Sequence, residues 1–369
     1  VTIKDGNVGA TGTATSVAGI PLYRGDGNNS SIYTHDVSGT DDTAQYNTAY
    51  GITALDAITT GDKNTAIGNA AGTAITEATD SVLIGYETGA AITTGVKNVA
   101  VGSFALDAAN TGQENTAIGH QALTADTKGQ RNVAVGAGAL GTQNFTSATN
   151  SYNIGVGYNA GNLITTGQSN TLIGALAGDG FDTESNNLAI GQAALGGAVA
   201  GGEYNVAIGN NTLDALTSAD SVTAIGYEAG SDYTTGDSGA GRSVFIGYQA
   251  GKAVTTGHDQ VAIGSGAGSV NGVGTSRGLI SVGRSAGNRK TSGDQCILIG
   301  TDAGSYLTTA ADSIFIGGFA GDGHDTEGNN LGIGTNSLGG SVAGGEYNVA
   351  IGNNTLDALT SADYVTAVG

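Results

Sequence analysis

Marked for apolar and polar positions, the chain falls into one short pattern that returns nineteen times. A small residue, usually Asn or Ser, precedes three largely apolar residues and a glycine, as in Asn64-Thr65-Ala66-Ile67-Gly68. With the glycine as position 0, position −1 is Ile or Val in eighteen copies (Tyr50 is the exception), and position −3 is always Val, Ile, Leu or Thr. These two positions share one face of a strand, and their β-branched side chains suit a pleated surface. Position −2 points the other way and is apolar too: mostly Ala, otherwise Leu83, Leu172, Leu298, Phe245, Phe315 or Gly, with Ser281 the one polar residue. A strand apolar on both faces is buried on both. One face is therefore expected to line a coil. The other, read as the strip of small residues at −2, needs cover from outside.

The motif glycines are spaced by 17 residues in thirteen of eighteen intervals, and by 18, 18, 19, 21 and 21 in the rest. A fixed period of this length predicts a solenoid. The expected fold is an all-β parallel β-solenoid, each coil holding two strands of about five residues and two turns. Coils stacked at roughly 4.8 Å would build a rod of about 90 Å. Position +3 is Ala, Thr or Ser and position +4 is only Gly or Leu, as at Ala71-Gly72 and Ala105-Leu106. Turns such as Thr59-Thr60-Gly61 follow, and eleven copies carry Asn at −4, where stacked side chains can form a hydrogen-bonded ladder. Gly, Thr and Asn at this density weaken any helix. Residues 46–369 carry the repeat; 1–45 do not, and read as a cap or connector. Residues 178–226 recur at 321–369, and 203–220 are identical to 346–363.

Composition narrows the functional classes. The net charge is −20, with no Lys or Arg between Arg131 and Arg242 or after Lys290. That argues against nucleic-acid backbones and anionic membranes as partners, and no run is long and apolar enough to cross a bilayer. A thin coil with an outward apolar strip is expected to associate along its length. The lack of Met and an end on a motif glycine read as a processed or partial chain.

At the Asn-x-Ala-Ile-Gly motifs, with their alternating Ala-Leu and Thr-Thr-Gly segments, residues 46–369 resemble the head repeats of trimeric autotransporter adhesins and the related repeats of phage and prophage tail fibres. The resemblance implies a left-handed β-roll, a homotrimer, an extracellular place on a virion or cell surface, and attachment to a glycan or protein receptor on a host cell. The 17-residue period and the Gly/Leu alternation at +4 depart from the adhesin pattern, which favours the tail fibre. An ice- or mineral-binding solenoid is the alternative of another class, raised by the Thr-Thr-Gly turns.

No enzyme chemistry and no cofactor are expected. The four histidines, His35, His120, His258 and His324, fall at unrelated phases and read as exposed polar residues. Cys296 replaces the usual Asn or Ser at −4 and reads as a small residue beside a turn. Acidic segments from Asp179 to Glu184 and from Asp322 to Glu327 are the candidate calcium ligands, although they lack EF-hand spacing. Arg24-Gly25-Asp26 is a weak integrin-type triplet. The better contact candidates interrupt the period. Insertions at 144–152, 232–242 and 271–277 bring Phe145, Tyr152, Arg242 and Arg277, which are expected to project from one side. Tyr86, Tyr158, Tyr227 and Tyr248 share position +1 and could form an interrupted aromatic stripe.

Overall fold

The computed structural model describes residues 15–17, 20–24, 31–35, 37, 40, 42–197, 202–234, 241–269, 275–340 and 344–369. It divides into two compact units, Val1–Leu176 and Ala177–Gly369. Each is an all-β parallel solenoid with one motif strand per coil, and no described residue is helical. In the first unit Thr65–Ile67, Val82–Ile84 and Val99–Val101 pair in strict register, Ala66 against Leu83 and Leu83 against Ala100. The second unit repeats this, for example through Ile297–Ile299, Ile314–Ile316 and Leu331–Ile333. Parallel pairing reaches back to Ile32–Tyr33, beside Thr48–Tyr50 and ahead of the first readable repeat. Gly25 and Asp26 lie outside the described residues.

The strands are three residues long, not about five, because the motif glycine ends each one. Gly68 has φ +137°, and a Cβ there would stand 2.1 Å from the carbonyl oxygen of Gly85 in the next coil. Only glycine allows coils to approach that closely. The remaining sides of the coil are bends and turns rather than a second regular strand; in the first unit a two-residue pairing joins Gly129–Gln130 to Thr149–Asn150, and ahead of the repeats Ile20–Arg24 pairs antiparallel with Thr15–Val17 and Ile32–Tyr33. Three more positions per coil take left-handed backbone, as at Lys63, Ala70 and Gly72. Leu106 does so with φ 54°. Such residues are costly singly and persist because the stacked neighbours fix them.

The interior overturns the expected facing of the strand. Position −2 points inward: Ala66, Leu83, Ala100 and Phe315 are fully buried. The −1 and −3 side chains face outward. The inner wall at −2 leaves room mainly for small side chains, so the Ala-rich position goes inside and the two β-branched positions face out. Positions +3, +4 and +7 complete that wall, as with Ala71, Leu106 and Ile75. The narrow interior also explains the Gly/Leu alternation at +4. Every Leu or Phe at −2 is accompanied by glycine at +4 in its own coil and in the coil before, and every Leu at +4 accompanies Ala or Gly at −2. A Cβ on Gly72 or Gly89 would meet the Leu83 methyls at 2.7 and 2.9 Å, and one on Gly321 would meet the Phe315 ring at 2.4 Å. The two positions share one space, filled once per step at close-packed density.

The Asn ladder forms, chiefly from side chain to backbone. The Asn64 amide N–H donates to Asn47 Oδ1 at 2.8 Å, Asn64 Nδ2 donates to the Ala78 carbonyl, and Asn64 Oδ1 accepts from the Ser81 N–H. One Asn thus satisfies main-chain groups of two neighbouring coils at the buried corner, where unpaired groups would be costly. Cys296 takes the same role in part: its buried thiol lies 3.6 Å from the Ala310 carbonyl, the counterpart of the Asn64–Ala78 bond.

Candidate functional site

The outward faces of the strands form the most extended candidate surface. Within the first unit Ile67, Ile84, Val101, Ile118, Val135, Val156 and Ile173 stand in register on successive rungs. The isoleucines among them are 36–39% exposed, flanked by part-buried −3 residues. The exposed apolar area is on the order of 100 Å² per coil, so the stripe exceeds the few hundred Å² usual on a monomer. The same pattern runs through Ile225, Ile263, Ile299, Ile333 and Ile351 in the second unit.

Comparison of the sequence with protein-family models and with curated proteins finds no match.

The residues nominated as surface contacts divide. Tyr86, Tyr158, Tyr227 and Tyr248 are exposed. Tyr227 and Tyr248 stack, with centroids 5.6 Å apart, while Tyr86 meets Phe104, which stands at +2 of the next coil, edge-on. Tyr152 is exposed and accepts a hydrogen bond from Arg131 at 3.1 Å. Arg242 pairs with Asp259 at 3.1 Å, and Arg277 is exposed with its amide bound to Asp294. Phe145 is not a surface residue. It is buried, and its N–H donates to Asp126 Oδ1 at 3.2 Å. Asp126 also accepts from Gln143 and Gly129, and these bonds draw the root of the first insertion inward. Burial still pushes its carboxyl upward. Residues 235–240 and 271–274 of the other insertions lie outside the described residues.

His324 also departs from expectation. It occupies interior position +7, fully buried against the Phe315 ring at 5.2 Å, and neither ring nitrogen has a hydrogen-bond partner. Burial lowers its pKa to about 4. In the duplicated segment the same position is Phe181, itself fully buried, so the histidine stands where an apolar ring fits. Lys290 is another titratable residue at +7, as is Asp126; its ammonium donates to the carbonyls of Ser292 and Ala310, and burial lowers its pKa. His35 and His258 are half-buried, and only His120 matches the exposed reading.

The acidic segments are organised as turns. Glu184 Oε2 accepts from the amides of Asp182 and Thr183, and Glu327 repeats this with Asp325 and Thr326 while its other oxygen accepts from Gly344. Among the described residues no group of three His, Cys, Asp or Glu side chains is placed to hold a metal ion.

A more localised site lies at a corner of the second unit, where three coils contribute to a cleft of about 300 Å³. Position +6 is Ala or Gly in twelve of eighteen coils, and Arg289 and Tyr306 place two large polar side chains there on successive coils. The Arg289 guanidinium lies 4.2 Å from the Tyr306 ring centre, a cation–π contact. Phe319, Asp302 and Asp322 complete the walls, with Arg284 paired to Asp302 at 2.8 Å. Sequence reasoning passed over this cluster because each residue is ordinary alone. The departure from Ala/Gly at +6 was the available signal.

Proposed function

We propose that this chain forms a homotrimeric, left-handed β-roll that serves as the shaft or head of an extracellular fibre, a phage tail fibre attaching to a host-cell surface. The stripe of in-register Ile and Val at −1 carries the reading, since it is an apolar face running along successive coils without cover. The small −2 residues fill the coil from within and are spoken for, so self-association falls to the larger aliphatic face. The role is mechanical, with no chemical step: stacked main-chain ladders hold a receptor-binding surface away from its anchor. An acidic surface keeps such assemblies soluble and apart.

The threonine turns support this reading over an ice-binding array. Thr59 Oγ1 donates to the Thr76 carbonyl at 2.9 Å, Thr76 to Thr93, and Thr291 to Thr308. Their hydroxyl protons hold coil to coil instead of pointing to a lattice. The test is the solution mass by analytical ultracentrifugation, expected at three times 35.9 kDa. Ile84→Lys with Ile118→Lys should give monomers with unchanged circular dichroism. A wild-type monomer would overturn the proposal.

A further inference from the structure

We propose that the cleft between Arg289, Tyr306, Phe319 and Asp322 binds the ring of a neutral pyranose sugar. This rests on the attachment reading and names where a glycan would be held. The first observation is shape: about 300 Å³ lies at the small end of ligand-sized clefts and suits a single ring rather than a peptide. The second is the pair of aromatic side chains. Tyr306 and Phe319 are half exposed, at 50% and 45%, in a chain with only 20 Tyr and Phe. An exposed ring face packs against the C–H face of a sugar, and Arg289 fixes the Tyr306 ring from one side.

The third observation sets the polarity of the ligand. Asp322 Oδ1 and Asn288 Oδ1 are buried acceptors with no hydrogen-bond donor. Buried acceptors left in that state are costly, and hydroxyl groups are the donors that satisfy them. Both orphaned atoms accept, so a ligand group that reaches them, by rotation of either side chain, is a donor. The carboxylates of Asp302 and Asp322 in the same wall repel an acidic sugar, and Arg284 is already engaged with Asp302. Burial raises the Asp322 carboxyl, opposed by the nearby Asp322 and Gly323 amides. A larger depression, lined by Thr93, Asn110, Thr127 and Asn144, lacks these features: Thr93 and Thr127 already donate to neighbouring groups, and no aromatic ring lines it.

Saturation-transfer NMR on the intact chain tests the site, with methyl α-glucopyranoside, methyl α-mannopyranoside, methyl β-galactopyranoside and N-acetylglucosamine at millimolar concentration as probes. At least one should receive saturation on its ring protons. Tyr306→Ala, at an exposed position, should weaken its binding at least tenfold, as should Asp322→Asn, while Tyr248→Ala leaves it unchanged. Absence of binding by all four sugars, or equal binding by Tyr306→Ala, would overturn the site. A host-cell binding assay separates the two proposals. Cell binding unaffected by Tyr306→Ala leaves the fibre role standing without this site. Sugar binding that depends on Tyr306, with no attachment to any host cell, leaves the site and removes the role.

Discussion

Replacing Leu83 by Ala and Gly89 by Leu, singly and together, probes the sharing of interior space between −2 and +4. Leu83 is fully buried and its methyls fill the room beside Gly72 and Gly89. Leu83→Ala alone opens a cavity and should cost about 3 kcal/mol, within the usual range for a buried leucine. Gly89→Leu alone brings a Cβ to 2.9 Å from both Leu83 Cδ2 and Ile92 Cδ1. Overpacking of that kind costs about 2 kcal/mol, and a non-glycine residue in left-handed backbone adds about 1 kcal/mol. The double variant recreates the Ala49, Leu55 and Ile58 arrangement of the coil at Gly51, where leucine already sits at φ 55° beside an isoleucine at +7. Only the backbone cost should then remain, so the double variant loses about 1 kcal/mol and the coupling is about 5 kcal/mol. Repeat arrays need not unfold in one step, so urea unfolding should be paired with amide exchange of Val82–Ile84. If the double variant is as unstable as the two single losses combined, the shared-space account is wrong.

Other outcomes follow from the same geometry. Gly68→Ala forces a Cβ against the Gly85 carbonyl and should cost more than about 3 kcal/mol, seen as a lowered melting temperature and faster exchange in flanking coils. Asn115→Ala removes the acceptor of the Asn132 N–H and the donor to the Gly129 carbonyl, for a loss of about 3 kcal/mol in urea unfolding. His324 has a folded pKa of about 4 against an ordinary 6.5, so the unfolded chain takes up its proton first as pH falls. Stability should therefore be full above pH 6.5 and decline toward pH 4 by about 3 kcal/mol. His324→Phe, matching Phe181, should remove that dependence from the denaturation profile of the second unit.

Much of the fold was legible because its determinants are periodic. The glycine at 0 and the Asn at −4 recur for reasons that a single coil contains, namely a close carbonyl approach and main-chain groups at a corner. What a strand pattern alone does not reveal is which side is inside, since Ala66 and Ile67 are both apolar. The clue lay in a correlation between positions. Leu83 with Gly89 and Ala100 with Leu106 exchange volume, which only residues sharing one space need to do. Phe145 and His324 were misplaced for a different reason. Residue type alone, in a loop or a scattered set, points both to the surface, whereas His324 belongs to the +7 column, whose other members include Ile75 and Phe181. The corner cleft depends on side chains from three coils, so no local motif announces it.

The direction of the main-chain bonds has a mechanical consequence. Bonds such as Gly68 N–H to the Tyr50 carbonyl join residues one coil apart and point along the stack. A unit stretched by its ends yields by peeling its outermost coil, breaking one rung's bonds at a time. The 17 residues released extend to about 58 Å in place of a rise of about 4.8 Å. Each event thus lengthens the tether by about 53 Å. A sudden pull is absorbed in equal steps, and the coils still stacked keep their shape while the chain pays out.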